Sequence, residues 1–510
     1  MTLPRRAFLA QATALVLGAP ARAIGAPVPF PVPFPVPFTV HTVRDLARDL
    51  ARGRYTERPM VPQDWRDLTY DQYRDIRFRG ANALWASTDR SHNVDFFVPG
   101  LYFPRTIKVW TVDNGQATPV PFNLDHFIKG DLVPDLTRDD PALGYSGLRL
   151  RTDLGHPDGK TEYAVFQGAS YFRAIGIGMT YGLSGRGLAL KTGDPTGEEF
   201  PEFIEFWLET PSPDQKNMVI HALMDSPSVT GAYRFDISPG DNCVMQVEAT
   251  LFSRTELTHV GLAPLTSMFL HDAKDRTRFD DFRPAVHDTN GLLIANGAGE
   301  TLWRPLSNPR LLQVSSFVDN APRGFGLMQR ARELGDFNDL EAHYHNRPGL
   351  WVEPGGDWGR GAVTLVEIPT EREIYDNIVA YWRPAAPIPA GTRTDLSYRL
   401  TWCARAPVAA RLPRVVHTAM GVGFDGTRRV AVIDFENHPL FDDGPAALTK
   451  HVQSPHVDTS EGVLQRNPAT GGLRLAFSFD PGARTVVELR AQLNKNRRLA
   501  SEVWLFRWTA

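Results

Sequence analysis

From Cys243 to Leu251 every second residue is apolar: Cys243, Met245, Val247, Ala249 and Leu251 alternate with Gln246, Glu248 and Thr250. Side chains on an extended strand point to opposite faces in turn, so this rhythm describes a strand with one dry face. Tyr233, Phe235 and Ile237 repeat it and stop at Ser238-Pro239-Gly240. Leu473, Leu475, Phe477 and Phe479 repeat it near the C-terminus. With 42 Gly and 41 Pro in 510 residues, turns recur far too often for long helices. Helical spacing is confined to Val43–Arg52, a predicted short helix, and to a second candidate at Tyr70–Ile76. The pattern as a whole predicts an all-β protein.

The organisation follows from composition shifts. Arg5-Arg6 precedes an apolar run and then Ala21-Arg22-Ala23. This is the pattern of a twin-arginine export signal with a cleavage site, and residues 1–26 are assigned to it. It predicts a mature protein at work in the periplasm. The Pro-Val-Pro-Phe repeats of 27–39 read as an extended spacer, because Pro at alternate positions excludes a helix. A second Pro-rich stretch at 383–394 is the expected linker between a large unit, 40–382, and a smaller one, 395–510. The smaller one has the size and strand rhythm of an immunoglobulin-like sandwich.

Several function classes are set aside. The formal net charge is −3 and the basic residues are scattered, which argues against a nucleic-acid surface. No apolar stretch after the leader reaches the length of a membrane span. Cys243 and Cys403 lack metal-type spacing and read as small buried residues on separate strands. GxSxG, P-loop, HExxH and CxxC motifs are absent. The Gly-rich Gly182–Gly187 reads as a turn. No metal or cofactor is implied.

Aromatic and acidic residues are dense between 280 and 382. Here lie His287-Asp288, Tyr344, Arg347, Trp351, Glu373, Asp376 and Trp382. Flat aromatic faces suit sugar rings, and carboxylates bind hydroxyls. Cleaving a glycosidic bond generally takes two carboxyl groups, one protonated to donate to the leaving oxygen and one ionised. Asp376, between Tyr375 and the apolar run 378–382, is a candidate for the protonated one. The same aromatics could instead be core or rim packing.

The strings Tyr70–Phe78, Phe166–Arg173, Gly261–Phe269, Phe282-Arg283-Pro284 with His287-Asp288, Trp303–Leu306, Arg347-Pro348 with Trp351–Pro354, and Asp376–Trp382 resemble those of the periplasmic glucan biosynthesis family MdoG, with branches G and D. The twin-arginine leader looks like the D branch. The resemblance implies a large mutarotase-like β-sandwich followed by a small immunoglobulin-like one. It implies a role in making osmoregulated β-1,2-linked glucan, and in some members inverting endo-β-1,2-glucanase activity. Carried over string by string, Asp376 falls on the general acid and Asp288 on the base. Glu373 and Tyr344 fall on substrate-site positions, and Arg347, Trp351 and Trp382 are further candidates for glucan contact. A homodimer is compatible with the resemblance. The rival reading is a non-catalytic glucan-binding scaffold, and a mutarotase-like epimerase is a weaker third.

Overall fold

In the computed structural model, residues 35–155, 159–408 and 412–510 are described. The expected leader and most of the spacer lie outside these residues. The period-two segments form strands: Val229–Ser238, Cys243–Ser253 and Leu473–Phe479. Cys243–Ser253 buries Cys243, Met245, Val247, Ala249 and Leu251 in strict alternation. The predicted helices are present at Thr42–Arg52 and Tyr70–Arg74. The second is started by a capping box, in which Thr69 and Gln72 satisfy each other's backbone N–H groups.

Two large sheets stack face to face. A sixteen-stranded sheet runs through Lys108–Asp113, Glu202–Glu209, Met218–Asp225, Val229–Ser238, Cys243–Ser253, Arg393–Cys403, Gly349–Pro354, Gly324–Met328, Gly291–Ala295 and Thr301–Pro305. A ten-stranded sheet has the order Gln313–Asn320, Arg360–Glu367, Ile378–Pro384, Val260–Ser267, Ser184–Arg186, Tyr171–Ala174, Thr161–Gln167, Gly147–Thr152, His92–Phe97, with Leu188–Leu190 also paired to Val260–Ser267. Their inner faces share one core: Phe235, Val247, Leu400 and Trp402 from the first sheet meet Phe166, Phe172, Leu265 and Trp382 from the second. The fold is therefore a β-sandwich. Met218–Asp225 is buried on both faces. The Thr42–Arg52 helix covers its outer side, with Val43 and Ala47 packed against Leu223 and Ala232.

Two expectations are corrected. The strand Arg393–Cys403 is paired between Cys243–Ser253 and Gly349–Pro354, in the middle of the large sheet. Residues 383–394 are thus a connection inside the large unit, and the passage to the C-terminal unit falls after Cys403. Gly182–Gly187 is no turn: Ser184–Arg186 is a strand between Val260–Ser267 and Tyr171–Ala174.

The C-terminal unit packs a four-stranded sheet (Val415–Val422, Arg429–Phe435, Leu473–Phe479, Val463–Arg466) against Thr449–Gln453, Val486–Lys495 and Val503–Thr509. Val503–Thr509 also pairs in parallel with Thr301–Pro305, so the sixteen-stranded sheet continues from one unit into the other. Cys243 and Cys403 are buried free thiols. Among the described residues no helix is long and apolar enough to cross a membrane.

Candidate active site

The outer face of the ten-stranded sheet carries charge where the inner face carries the core. On Tyr171–Ala174 the buried Phe172 and Ala174 point into the sandwich, leaving Tyr171 and Arg173 on the other side. Across the register, Arg186 pairs with Tyr171. Its guanidinium lies 5.0 Å from the Tyr171 ring centroid and 2.8 Å from Glu198.

Three loops rise beside this face. The 368–377 loop carries Glu373 and Asp376. It is tied down at both ends: Asn308 exchanges two hydrogen bonds with Thr370, and Asn377 bonds the Ile368 carbonyl and the Phe269 N–H. A second loop ends in the short strand Val286–His287, paired with Phe269–His271, and presents Asp288 immediately afterwards. The third contains the 3-10 turn Tyr344–Asn346, followed by Arg347.

Asp376 and Asp288 come together here. Asp376 lies 3.6 Å from Arg173, too far for a hydrogen bond, and its Oδ2 is buried without a hydrogen-bond partner. Burial pushes its carboxyl above the usual range, and the nearby Asp288 charge adds to this. Arg173, Arg347 and Arg186 oppose the shift without cancelling it. Asp288 is 4% exposed and forms an ion pair with Arg347. Arg347 also donates to the Ala342 carbonyl, and its guanidinium sits 4.5 Å over the Tyr344 ring. One carboxyl group thus favours its proton while the other faces a fixed cation.

Glu373 and Tyr344 belong to the same site. The Tyr344 hydroxyl donates to Glu373 at 3.1 Å, and Arg283 donates to the same oxygen at 2.9 Å. Arg283 also binds Asp281 and Asp339, joining the three loops through one guanidinium. His287 is enclosed beside the site. It is stacked on Phe269 at 5.4 Å and abuts Phe337, and burial pushes its imidazole down to about 3.

Trp351 and Trp382 do not join them. Trp382 is fully buried between the two sheets, on the same face as Ile378 and Ala380. Trp351, 1% exposed, packs in the core shared with the C-terminal unit. Neither presents an open ring face to a glucan in this structure. Conversely, Arg173, Arg186 and Arg283 were not singled out from sequence. Arg173 and Arg283 lie inside the quoted strings, but a lone Arg in a string carries no signal of what it faces.

The chain matches the family model described as periplasmic glucan biosynthesis protein, MdoG, over residues 38–508. It is 48% identical over 458 residues to a Glucans biosynthesis protein G of Vibrio cholerae serotype O1, covering 88% of this chain and 82% of that one. It is 50% identical over 454 residues to the Glucans biosynthesis protein G of a Shewanella species, with the same two coverages. These relatives bear the name of the G branch, not the D branch expected from the leader. A match spanning nearly the whole described chain, together with relatives at this identity, makes the protein a member of the periplasmic glucan biosynthesis family MdoG.

Proposed function

We propose that this protein is an inverting endo-β-1,2-glucanase that trims or controls the length of a periplasmic glucan backbone. Asp376 acts as general acid. It gives its proton to the bridging oxygen as the bond from that oxygen to the anomeric carbon breaks. A water oxygen bonds to the same carbon from the opposite face, and the proton it loses passes to Asp288, directly or through further waters. Glu373 binds sugar hydroxyls, and the fully buried Tyr344 holds its carboxylate in place through the phenol hydroxyl. The supporting observation is the buried Asp376 carboxyl, held above its usual range beside a second carboxylate paired with Arg347. Export by the twin-arginine route belongs to the same proposal, and Arg5→Lys with Arg6→Lys should then block it.

The test is digestion of linear β-1,2-glucan by purified wild type beside Asp376→Asn. Shorter oligosaccharides from wild type alone support the hydrolase. One observation favours a second reading. Asp288 is bound to a buried guanidinium rather than open to water, as suits a scaffold that only holds glucan. Binding without cleavage by wild type would establish that reading instead.

A further inference from the structure

We infer that the C-terminal unit is part of the catalytic apparatus, and that the buried ion pair Arg330–Glu502 is the latch through which it positions Asp288. The inference rests on Asp288 being the base of the proposed hydrolase.

The pair is bidentate. Arg330 Nη1 meets Glu502 Oε2 at 2.7 Å and Nη2 meets Oε1 at 2.8 Å, with both side chains no more than 5% exposed. The guanidinium lies 3.5 Å from the centroid of the Trp303 ring. Glu502 also accepts the Val415 N–H at 2.9 Å, and Arg330 reaches the Val415 carbonyl. The latch is therefore fastened to the first strand of the C-terminal sheet.

Its other end holds the base. The Arg330 N–H donates to Asn290 Oδ1 at 3.0 Å, and the Asn290 N–H donates to the Met328 carbonyl at 3.0 Å. Gln329 Nε2 donates to the His287 carbonyl at 3.4 Å. Asp288 is thus bracketed on both sides by residues 328–330. Arg332, two residues on, donates to the Arg347 carbonyl and, at 3.1 Å, to the Ala404 carbonyl just after the last strand of the large unit. The backbone of Asp288's cationic partner is held by the same segment.

The loop of Asp376 hangs from the neighbouring strand. Trp303 is aligned with Trp504 of the C-terminal unit. Next to it, Arg304 binds Glu367 at 3.0 Å in a fully buried pair. Asn308 then clamps Thr370. The Trp303–Leu306 string is thereby placed between the C-terminal unit and both aspartates.

An ion pair this dry adds little net stability compared with well-packed apolar residues, because both charges lose their water. What a bidentate pair supplies is direction. Glu502 and Arg330 are therefore positioning residues.

The test uses the full chain with Glu502→Gln, and with the double variant Arg330→Met/Glu502→Leu, which leaves no buried charge unpaired. Small misplacement of a reacting group is costly, so kcat on linear β-1,2-glucan should fall roughly 10–100-fold in both. KM should stay within about twofold, since ground-state binding is untouched. Amide exchange at 287–290 and 328–330 should speed up about tenfold or more, with no change in Cys243–Ser253. Glu502→Asp should restore part of both effects. Arg474→Ala, which breaks the Asp434 pair elsewhere in the same unit, should leave both readouts unchanged. A folded double variant with wild-type kcat and wild-type exchange at 287–290 would overturn the inference, as would a change in KM alone. If wild type cleaves no glucan, the hydrolase reading fails, and exchange at 287–290 alone decides whether the latch exists.

Discussion

Asp376 and Asp288 lie near one another on opposite terms. The loop of Asp376 is pinned through Asn308, Thr370 and Asn377, while its carboxyl Oδ2 is left without a hydrogen-bond partner. The segment of Asp288 is also pinned, but its carboxylate is paired with Arg347. Rigid backbone is common to both; what differs is the guanidinium, at 3.6 Å from Asp376 and in direct contact with Asp288. Burial raises the Asp376 carboxyl above its usual range although Arg173, 3.6 Å away, opposes the shift, whereas Asp288 sits directly against the Arg347 guanidinium. Two residues of one type are thus set in different electrostatic surroundings.

Replacing each with Asn should separate these two environments. Asp288→Asn leaves Arg347 buried and unpaired, which should cost about 3–5 kcal/mol of stability. Denaturant unfolding would measure this, and a midpoint equal to wild type would break the contrast. A control comes from a side chain outside the site. Trp382→Phe shrinks a ring packed between the sheets and should cost about 1–3 kcal/mol with no change in glucan affinity. A weaker affinity would return Trp382 to the binding site.

Asp376→Asn should have the smallest effect on stability, and of opposite sign. The folded pKa of Asp376 is raised above its ordinary value of 3.8. Its contribution is then fully present below that value and is lost as pH rises through the folded pKa. At neutral pH the Asn variant should melt higher than wild type, and the difference should vanish on acidification. Melting curves from acid to neutral pH would show this.

Much of the fold was legible because burial on one face leaves a trace in the residues themselves. Cys243–Leu251 and Leu473–Phe479 show it plainly. The position of Arg393–Cys403 was not legible, because its partners Cys243–Ser253 and Gly349–Pro354 are set by pairing across long sequence distances. A nearby Pro-rich stretch therefore passed for a domain linker. The candidate site was legible as strings of a resembling family, which carried Asp376, Asp288, Glu373 and Tyr344 to one place. The burial of Trp382 is legible from its neighbours: Ile378, Ala380 and Trp382 share one face of a strand, and the first two mark that face as core. Arg173 and Arg283 were out of reach, since a guanidinium's role depends on what lies across the site.

The most direct test of the account is the protonation state of Asp376. Difference infrared titration of carboxyl groups, wild type minus Asp376→Asn, isolates its C=O band. The account predicts a protonated carboxyl that persists to pH above the ordinary aspartate range. A band that disappears at or below that range would contradict it.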